Sequence, residues 1–283
     1  MSSSTDTLVA FGMDIGSSYS RVAVATSEST NQARVISNTL GHFETRSITT
    51  LEQHDSQNAQ YVHGDAALRI LEKEKKPTPS IREMIQNDSV AACEAFLGHV
   101  VSLASDATAS SLHQLRLVLA VPMDASPEYT EKLMQMTQAG MKQQISEKKH
   151  RKHHFVVGMI SEPAAVCIAH GVTEASSSLY QRILVVDMGA SGLKLSRLYT
   201  NGRTCCILSL QSYTVIQEIS GPALIALLAK HVASQFERKH KLPCGEVWEM
   251  KKARFKLQHA SQVALQSLQR EYTTCPSIGI QTR

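Results

Sequence analysis

The residues best suited to chemistry lie in a pattern that occurs twice. The pattern Asp-x-Gly-x-Ser stands at residues 14–18 and again at residues 187–191, each time between two apolar runs. This order predicts a β-hairpin whose turn holds a carboxylate, a glycine and hydroxyls. Glycine lets the backbone approach a ligand closely, turn amides can point at an anion, and a carboxylate suits hydrated Mg²⁺. The repeat predicts two hairpins that hold a nucleotide's phosphates from both sides, although a single Asp-x-Gly also occurs in ordinary turns.

Composition sets wide bounds on the class of protein. The 283 residues are 42% hydrophobic and 19% charged, which is enough to bury one large core or two moderate ones. The formal net charge of +4 identifies no partner, and it gives no reason to expect sequence-specific DNA binding. The six cysteines include no Cys-x-x-Cys pair, and Cys93 and Cys167 lie in apolar periodic stretches. Buried thiols are therefore favoured over a zinc site or a disulfide framework.

The first residues and the apolar runs bear on the compartment. Residues 1–7 are polar, are expected to be disordered and lack the basic start and apolar segment of a secretory signal. No apolar run approaches the roughly 18 residues that span a bilayer. We therefore expect a cytoplasmic protein without a membrane contact.

Periodicity predicts the elements that position the two motifs, while residues 52–58 carry no pattern. Strands are predicted at residues 8–16, 20–27, 33–38, 115–122, 155–160, 183–188 and 204–216. Helices are predicted at residues 64–75, 89–103, 126–140, 162–170, 221–240 and 246–270. This order predicts two α/β lobes around a central cleft, residues 8–178 and 179–283, joined by the serine-rich residues 173–178. Two such lobes, each with a hairpin lining the cleft, describe the actin-like ATPase fold, which is ribonuclease H-like.

Three further segments follow the first hairpin. Gly64-Asp-Ala-Ala67 begins a predicted helix, Val118-Leu-Ala-Val-Pro122 ends a strand, and Ile160-Ser-Glu-Pro-Ala-Ala-Val-Cys-Ile-Ala-His-Gly171 begins another helix. Together with the hairpins they resemble the nucleotide-binding domain of the 70-kDa heat-shock protein (DnaK-type) family. The last segment is the most specific, because the family has Ile-Asn-Glu-Pro-Thr-Ala-Ala there. The resemblance covers the chain from residue 8 onward and implies ATP or ADP with Mg²⁺ as the cofactor.

The resemblance implies a role for individual residues. Asp14 and Asp187 would hold Mg²⁺ through water, and Glu162 would orient the hydrolytic site. Another interpretation of Glu162 is a charge that favours the N-terminus of its own helix. The residues that would cradle phosphate lie in the two hairpin turns: Gly16, Ser17, Ser18, Tyr19, Gly189 and Ser191.

The departures from the family pattern concern charge. Leu68 takes the place of the family's catalytic lysine, and residues 189–194 read Gly-Ala-Ser-Gly-Leu-Lys where the family has Gly-Gly-Gly-Thr-Phe-Asp. The family's charged adenosine contacts fall at Gln262, Leu265 and Gln266. Because charged clamps and an oriented water supply most phosphoryl-transfer catalysis, we expect hydrolysis to be weak or lost.

The chain also differs from the family at its end and at an insertion. It stops before the family's glycine-rich adenosine segment and peptide-binding domain, which predicts an incomplete second lobe with an exposed apolar face. Residues 142–154 add a basic tract. This tract is either a solvated helix extension and loop, or a patch that contacts RNA or an acidic protein surface.

Within the family the pattern is most similar to the atypical, ribosome-associated members, which pair with a J-domain protein. We therefore expect a chaperone or co-chaperone that acts on unfolded or nascent polypeptides, with the ribosome as a partner through residues 142–154. Two alternatives stay open. One is an ATP-dependent chaperone ATPase whose altered motifs still function, and the other is a sugar-kinase-like phosphotransferase on the same fold.

Overall fold

The computed structural model describes residues 9–26, 33–55, 58–107, 114–147, 154–171, 180–201 and 207–272. The chain divides into two compact units. The first unit comprises Met1–Asp187 and Leu195–Thr214, and the second comprises Met188–Lys194 and Val215–Arg283. The predicted link at residues 173–178 lies outside the described residues, so the lobe boundary at residue 178 stays a prediction.

The described elements follow the predicted alternation of strands and helices. The strands are β1 (Val9–Ile15), β2 (Tyr19–Thr26), β3 (Arg34–Val35), β4 (Thr45–Arg46), β5 (Thr49–Asp55), β6 (Asn58–His63), β7 (Gln114–Val121), β8 (His154–Ser161), β9 (Tyr180–Met188), β10 (Leu193–Asn201) and β11 (Ile207–Ile216). The helices are α1 (Gly64–Glu74), α2 (Ile81–Gln86), α3 (Val90–Ala107), α4 (Pro127–Glu147), α5 (Glu162–Ala169), α6 (Gly221–His240), α7 (Glu246–Glu249) and α8 (Lys251–Tyr272).

The main sheet of the first unit has the strand order β3-β2-β1-β7-β8, and β4 pairs with β2. Strand β1 is antiparallel to β2 but parallel to β7, and β7 is parallel to β8. The carboxyl ends of β1, β7 and β8 therefore lie at one edge, which is where α/β sheets bind ligands. This mixed α/β arrangement is consistent with the predicted actin-like ATPase fold.

The core of the first unit lies between this sheet and the helices α3 and α4. Alternate residues of β1 are buried, among them Phe11 and Met13, because successive side chains of a strand point to opposite faces. They belong to one hydrophobic cluster with Phe96 of α3 and Leu133 of α4. The predicted burial of the Cys93 thiol is confirmed, because this residue belongs to the same cluster.

Helix α4 begins as predicted but ends later. The Ser126 hydroxyl accepts a hydrogen bond from the Tyr129 amide at 3.1 Å, and Pro127 is the first helical residue. The predicted end at Gly140 is wrong, because the helix continues to Glu147. A Cβ on Gly140 would lie 2.3 Å from the carbonyl oxygen of Glu94 on α3. Glycine is therefore required here by a close contact between helices, not by a helix end.

Three other predictions are corrected. Residues 52–55 and 58, which carry no pattern in the sequence, lie in β5 and β6, and these strands pair antiparallel. The strand predicted at residues 33–38 is only the short β3. The helix predicted at residues 246–270 is two helices, α7 and α8, because Met250 between them has extended backbone angles.

The second unit contains a buried carboxylate that shapes the connection after α6. Glu237 is 4% exposed, and its carboxylate accepts hydrogen bonds from the amides of Gly245 and Val247, each at 2.9 Å. Lys241 ends α6 in the left-handed conformation. These contacts turn the chain sharply from α6 into α7, and α6 then contacts α8.

Strand β9 of the sheet β11-β10-β9 has one covered and one open face. On the covered face, Val185 packs with Cys167 of α5 and Leu198 of β10, so the predicted burial of the Cys167 thiol is also confirmed. On the other face, Leu184 and Val186 are 63% and 59% exposed. Within the described residues, no helix is long and apolar enough to cross a bilayer.

Candidate nucleotide site

The two predicted hairpins are confirmed, and their turns share one backbone arrangement. In the first, the Gly16 amide donates a hydrogen bond to the carbonyl oxygen of Tyr19 at 3.0 Å. In the second, the Gly189 amide donates to the carbonyl oxygen of Gly192, also at 3.0 Å. In both copies the glycine follows the aspartate by two residues, and the turn closes three residues later. The sequence repeat is therefore also a repeat of local structure.

The first turn leaves no room for a side chain on its glycine. A Cβ on Gly16 would lie 2.5 Å from the Tyr19 carbonyl oxygen. The turn is held from outside by the Ser47 amide, which donates to the Ser18 carbonyl oxygen at 2.9 Å, and by Arg46, which stacks 4.9 Å from the Tyr19 ring centroid. Ser17 and Ser18 are partly exposed. The predicted cradle is thus a fixed turn with accessible hydroxyls.

Asp14 lies near the end of β1, next to a cation that the motif does not indicate. Arg21 is its direct partner across β1 and β2, and the Arg21 Nη1 is 3.7 Å from the Asp14 Oδ2. The other end of the Arg21 guanidinium contacts Glu44 at 2.8 Å. Because the Asp14 side chain is 40% exposed, solvent screens much of this attraction. The carboxylate suits hydrated Mg²⁺ in type, but Arg21 would compete with the metal for it.

Glu162 begins α5 directly after β8 and forms a buried ion pair. Its carboxylate accepts a hydrogen bond from the Nη2 of Arg82, and the two side chains are 14% and 13% exposed. The Nε of Arg82 donates to the carbonyl oxygen of Ile15 at 2.5 Å. One guanidinium therefore connects the end of β1, beside Asp14 and Gly16, with the head of α5.

The sequence analysis did not identify Arg82. A usable signal was the Ser80-x-x-Glu83 pattern, which is a capping box in the structure: the Ser80 hydroxyl accepts from the Glu83 amide, and the Glu83 carboxylate accepts from the Ser80 amide. This pattern places Arg82 in the first turn of a helix. It does not indicate what the side chain contacts.

Two tyrosines lie within electrostatic reach of the Arg82–Glu162 pair. Burial raises the pKa of Tyr129, on α4, to about 12, while Arg82 opposes and Glu162 supports this increase. Burial also raises the pKa of Tyr213, on β11, and the carboxylates of Asp124 and Glu162 add to the effect while Arg82 opposes it. Both phenols therefore stay protonated and neutral at physiological pH.

The position at which the family resemblance expects a lysine is occupied by the apolar side chain of Leu68. Its side chain is partly buried against a small cluster formed by Ile48, Ala67 and Leu71. The neighbouring Arg69 is exposed. The only charged contact described for α1 near its start is Asp65, which accepts from Arg46 at 2.9 Å. Among the described residues of α1, the face at Leu68 is therefore apolar.

In the second hairpin, one position, residue 192, requires glycine. Gly192 has a φ of +147°, and a Cβ there would lie 2.9 Å from the carbonyl oxygen of Ile216. The Gly221 amide, at the start of α6, donates to the Gly189 carbonyl oxygen at 3.0 Å. Ser191 is exposed, and Lys194, where the family has an acid, is buried. The backbone of this turn therefore matches that of the first hairpin, but a basic residue follows it where the family has an acidic one.

The remaining candidates lie on β9, directly after it, and on α8. Asp187 is partly buried in β9 and Gly189 follows this strand. Gln262 and Leu265 are partly buried on α8. In the part of the chain that the structure describes, no three His, Cys, Asp or Glu side chains gather as a metal site. The assignments of Asp14 and Asp187 to Mg²⁺ stay predictions.

No protein-family model matches the chain. Heat shock 70 kDa protein 14-A of Xenopus laevis is 24% identical over 204 residues, which are 70% of this chain and 36% of that protein. Heat shock 70 kDa protein 14 of Homo sapiens is 31% identical over 113 residues, which are 40% of this chain and 21% of that protein. These similarities support membership of the 70-kDa heat-shock protein family. The chain spans little more than a third of the length of the Xenopus relative.

The similarity to these heat-shock 70 kDa proteins agrees with the motif resemblance at residues 64–67 and 160–171. It accounts for the paired hairpins, because the resemblance places a phosphate segment at each of them. Leu68, which packs in an apolar cluster, and Lys194, which is buried, are two described residues at which this chain departs from the family pattern.

Proposed function

We propose that this chain is an atypical 70-kDa heat-shock-like chaperone or co-chaperone in protein folding that binds ATP with Mg²⁺ and hydrolyses it slowly or not at all. The observation that carries the proposal is the inequality of two equivalent turns. Each turn follows an aspartate and holds an exposed or partly exposed serine, but the Gly189 turn is followed by the buried Lys194, where the family has an acid. This difference supports phosphate binding at the first turn. It does not support equal phosphate binding by both turns.

Slow hydrolysis follows from the charges near the phosphate segments. Leu68 packs into an apolar cluster, so α1 supplies no cation at this position. Loss of one preorganised electrostatic contact commonly lowers kcat by about 10² to 10³. Arg21 also attracts the Asp14 carboxylate that would hold the metal's water shell. The missing cation at Leu68 reduces hydrolysis, and the competition from Arg21 weakens the contact of Asp14 with the metal's water shell.

The proposed partners follow from the family similarity. A chaperone of this type acts on unfolded or nascent polypeptides, and we propose a J-domain co-chaperone and a cytoplasmic location. The ribosome is the proposed partner of residues 142–154. Residues 142–147 form the last part of α4, with Lys142 exposed, and residues 148–153 lie outside the described residues.

A second candidate function is an active chaperone ATPase. The specific observation that favours it is the Arg82 guanidinium beside Glu162, because it brings a positive charge to the residue that the resemblance assigns to the hydrolytic site. Among the described residues, nothing comparable favours the sugar-kinase-like alternative.

The first prediction separates the two candidates by single-turnover hydrolysis of labelled ATP, with and without a J-domain protein. We expect ATP binding that requires Mg²⁺, with hydrolysis near the uncatalysed background. Asp14→Asn should weaken Mg²⁺-dependent binding by about tenfold, because a charged hydrogen-bond acceptor is lost. Glu131→Gln, which removes an exposed carboxylate from α4, is the matched control. J-stimulated turnover that Asp14→Asn abolishes would establish the active ATPase, and failure to bind any nucleotide would refute both.

The second prediction concerns the basic segment. Changing Lys148, Lys149, Arg151 and Lys152 to Gln should weaken co-sedimentation with ribosomes at low salt, because phosphate contacts by cations depend strongly on ionic strength. The matched control changes four exposed lysines elsewhere to Gln: Lys239, Lys241, Lys251 and Lys252. Equal sedimentation of both quadruple variants and the unchanged protein would identify the segment as a solvated loop.

A further inference from the structure

Arg21 lies between two carboxylates beside the first hairpin turn. It is the direct partner of Asp14 across β1 and β2, and directly opposite residues of an antiparallel pair lie on the same face of the sheet. Its Nη1 is 3.7 Å from the Asp14 Oδ2, and its Nη2 donates to the Glu44 Oε2 at 2.8 Å. One guanidinium therefore connects the candidate Mg²⁺ ligand with a carboxylate on a different segment, just before β4.

The two contacts of Arg21 differ in strength. The separation of 2.8 Å from Glu44 is a charge-assisted hydrogen bond, whereas 3.7 Å from Asp14 is too long for one and leaves the attraction between the charges. The Arg21 side chain is 51% exposed, so its guanidinium can turn away from Asp14 without leaving a buried cavity. The geometry thus makes Glu44 the stronger partner and Asp14 the one more easily released.

Glu44 is positioned by the loop that contains it, residues 38–44. The side-chain oxygen of Asn38 accepts hydrogen bonds from the amides of Leu40 and His42, at 2.9 and 3.0 Å. The Nδ2 of Asn38 donates to the carbonyl oxygen of Glu44 at 2.9 Å. The backbone at Glu44 is therefore fixed, and its carboxylate stays within reach of Arg21.

Asp14 fits hydrated Mg²⁺ in its chemistry and in its access. A carboxylate oxygen is the type of ligand that Mg²⁺ prefers, and the ion usually keeps several of its waters. The Asp14 side chain is 40% exposed, so a hydrated ion can reach it. The guanidinium and a metal ion at one carboxylate would repel each other, because both are cations. Arg21 must therefore leave Asp14 before that carboxylate can hold a metal, and it already contacts Glu44.

We propose that Arg21 and Glu44 set the Mg²⁺ concentration at which this chain binds ATP. Without the metal, Arg21 neutralises Asp14. When Asp14 holds Mg²⁺, Arg21 releases this carboxylate and keeps its hydrogen bond to Glu44. The proposal rests on the proposed Mg²⁺-dependent nucleotide binding and adds its regulation. An ion pair with a structural role alone would join the loop 38–44 to β2 and leave the Mg²⁺ requirement unchanged.

The test measures the dissociation constant of ATP by calorimetry over a series of free Mg²⁺ concentrations. The measured quantity is the Mg²⁺ concentration that gives half of the full gain in ATP affinity. The variants are Arg21→Gln, Glu44→Gln and the double variant. The matched control is Arg34→Gln, which removes an exposed arginine from β3, the strand next to β2. Urea denaturation of each variant establishes that it is folded.

The two single variants should shift this Mg²⁺ concentration in opposite directions. Arg21→Gln should lower it about two- to fivefold, the range of an exposed ion pair, because Asp14 loses its competing cation. Glu44→Gln should raise it about twofold, because the guanidinium loses the carboxylate that draws it away from Asp14. In the double variant Glu44→Gln should have no further effect, since it acts through Arg21. Arg34→Gln should leave the concentration unchanged.

Two results would overturn the role of Arg21 and Glu44. One is an equal Mg²⁺ requirement in Arg21→Gln and the unchanged protein. The other is a Glu44→Gln effect of the same size with and without Arg21, which would identify two independent charges instead of an exchange. Absence of any ATP binding by the unchanged protein at saturating Mg²⁺ would instead overturn the proposed function.

Discussion

Gly16→Ala is expected to weaken ATP binding by more than about tenfold, because it forces apart the turn that is proposed to bind phosphate. The added Cβ would lie 2.5 Å from the carbonyl oxygen of Tyr19, a distance that real Cβ atoms do not adopt. That oxygen also accepts the hydrogen bond that closes the turn. Since both groups are backbone, no side-chain rotation can relieve the clash. The turn must open, and its amides then no longer point at one anion.

Gly12→Ala, in the strand β1 that leads into the turn, is the matched control for this prediction. A Cβ at Gly12 would have nothing within 4 Å, so this variant should bind ATP within about twofold of the unchanged protein. Calorimetric titration with Mg²⁺ and ATP measures both affinities, and urea denaturation measures the free energy of unfolding. We expect Gly16→Ala to cost about 1 to 3 kcal/mol of stability, as other overpacked sites do. Equal ATP affinity in the two variants would show that the turn does not contact the nucleotide.

The hairpins at Gly16 and Gly189 were predictable because their signals are local. The apolar runs predict the strands, and the Asp-x-Gly spacing predicts the turn between them. The Ser126-Pro127 start of α4 was predictable for the same reason. The end of α4 was not predictable. Glycine is required at residue 140 because α3 lies close by, and the sequence pattern along one helix contains no information about its neighbour.

Arg82 shows the same limit at the candidate site. It is separated by 80 residues from Glu162 and by 67 from Ile15, so only the completed fold brings them together. The family resemblance names positions along the sequence, such as Leu68. A motif of this kind contains no information about a charged residue on a different helix, such as Arg82 on α2.

The second large prediction concerns two partly buried histidines in the first unit. The rings of His63 and His99 stack with centroids 4.7 Å apart, and Phe96 meets His63 edge-on at 5.8 Å. The Nδ1 of His63 shares a hydrogen bond of 2.9 Å with the Thr49 hydroxyl. Burial, followed by the charge of His99, lowers the pKa of His63 to about 4, and burial also lowers the pKa of His99. His63 further stands at the N-cap of α1, where the helix dipole disfavours a positive charge.

These pKa values make stability depend on pH in a defined direction. The unfolded chain binds a proton on His63 below its ordinary pKa of 6.5, whereas the folded chain does so only near 4. The stabilisation is therefore complete above pH 6.5 and is lost as the pH falls towards 4. One pH unit between the two pKa values is worth about 1.4 kcal/mol, so His63 alone contributes roughly 3 kcal/mol of this loss.

Urea denaturation at a series of pH values between 7.5 and 5 tests the assignment, because most carboxylates titrate below this range. His63→Leu removes the titrating group while the Thr49 hydroxyl keeps its hydrogen bond to the Val62 carbonyl oxygen at 3.1 Å. We expect this variant to lose less stability than the unchanged protein over the same interval. The control His42→Gln, at an exposed residue, should keep the original pH dependence. If His63→Leu and His42→Gln had the same slope, the acid sensitivity would have to come from groups other than His63.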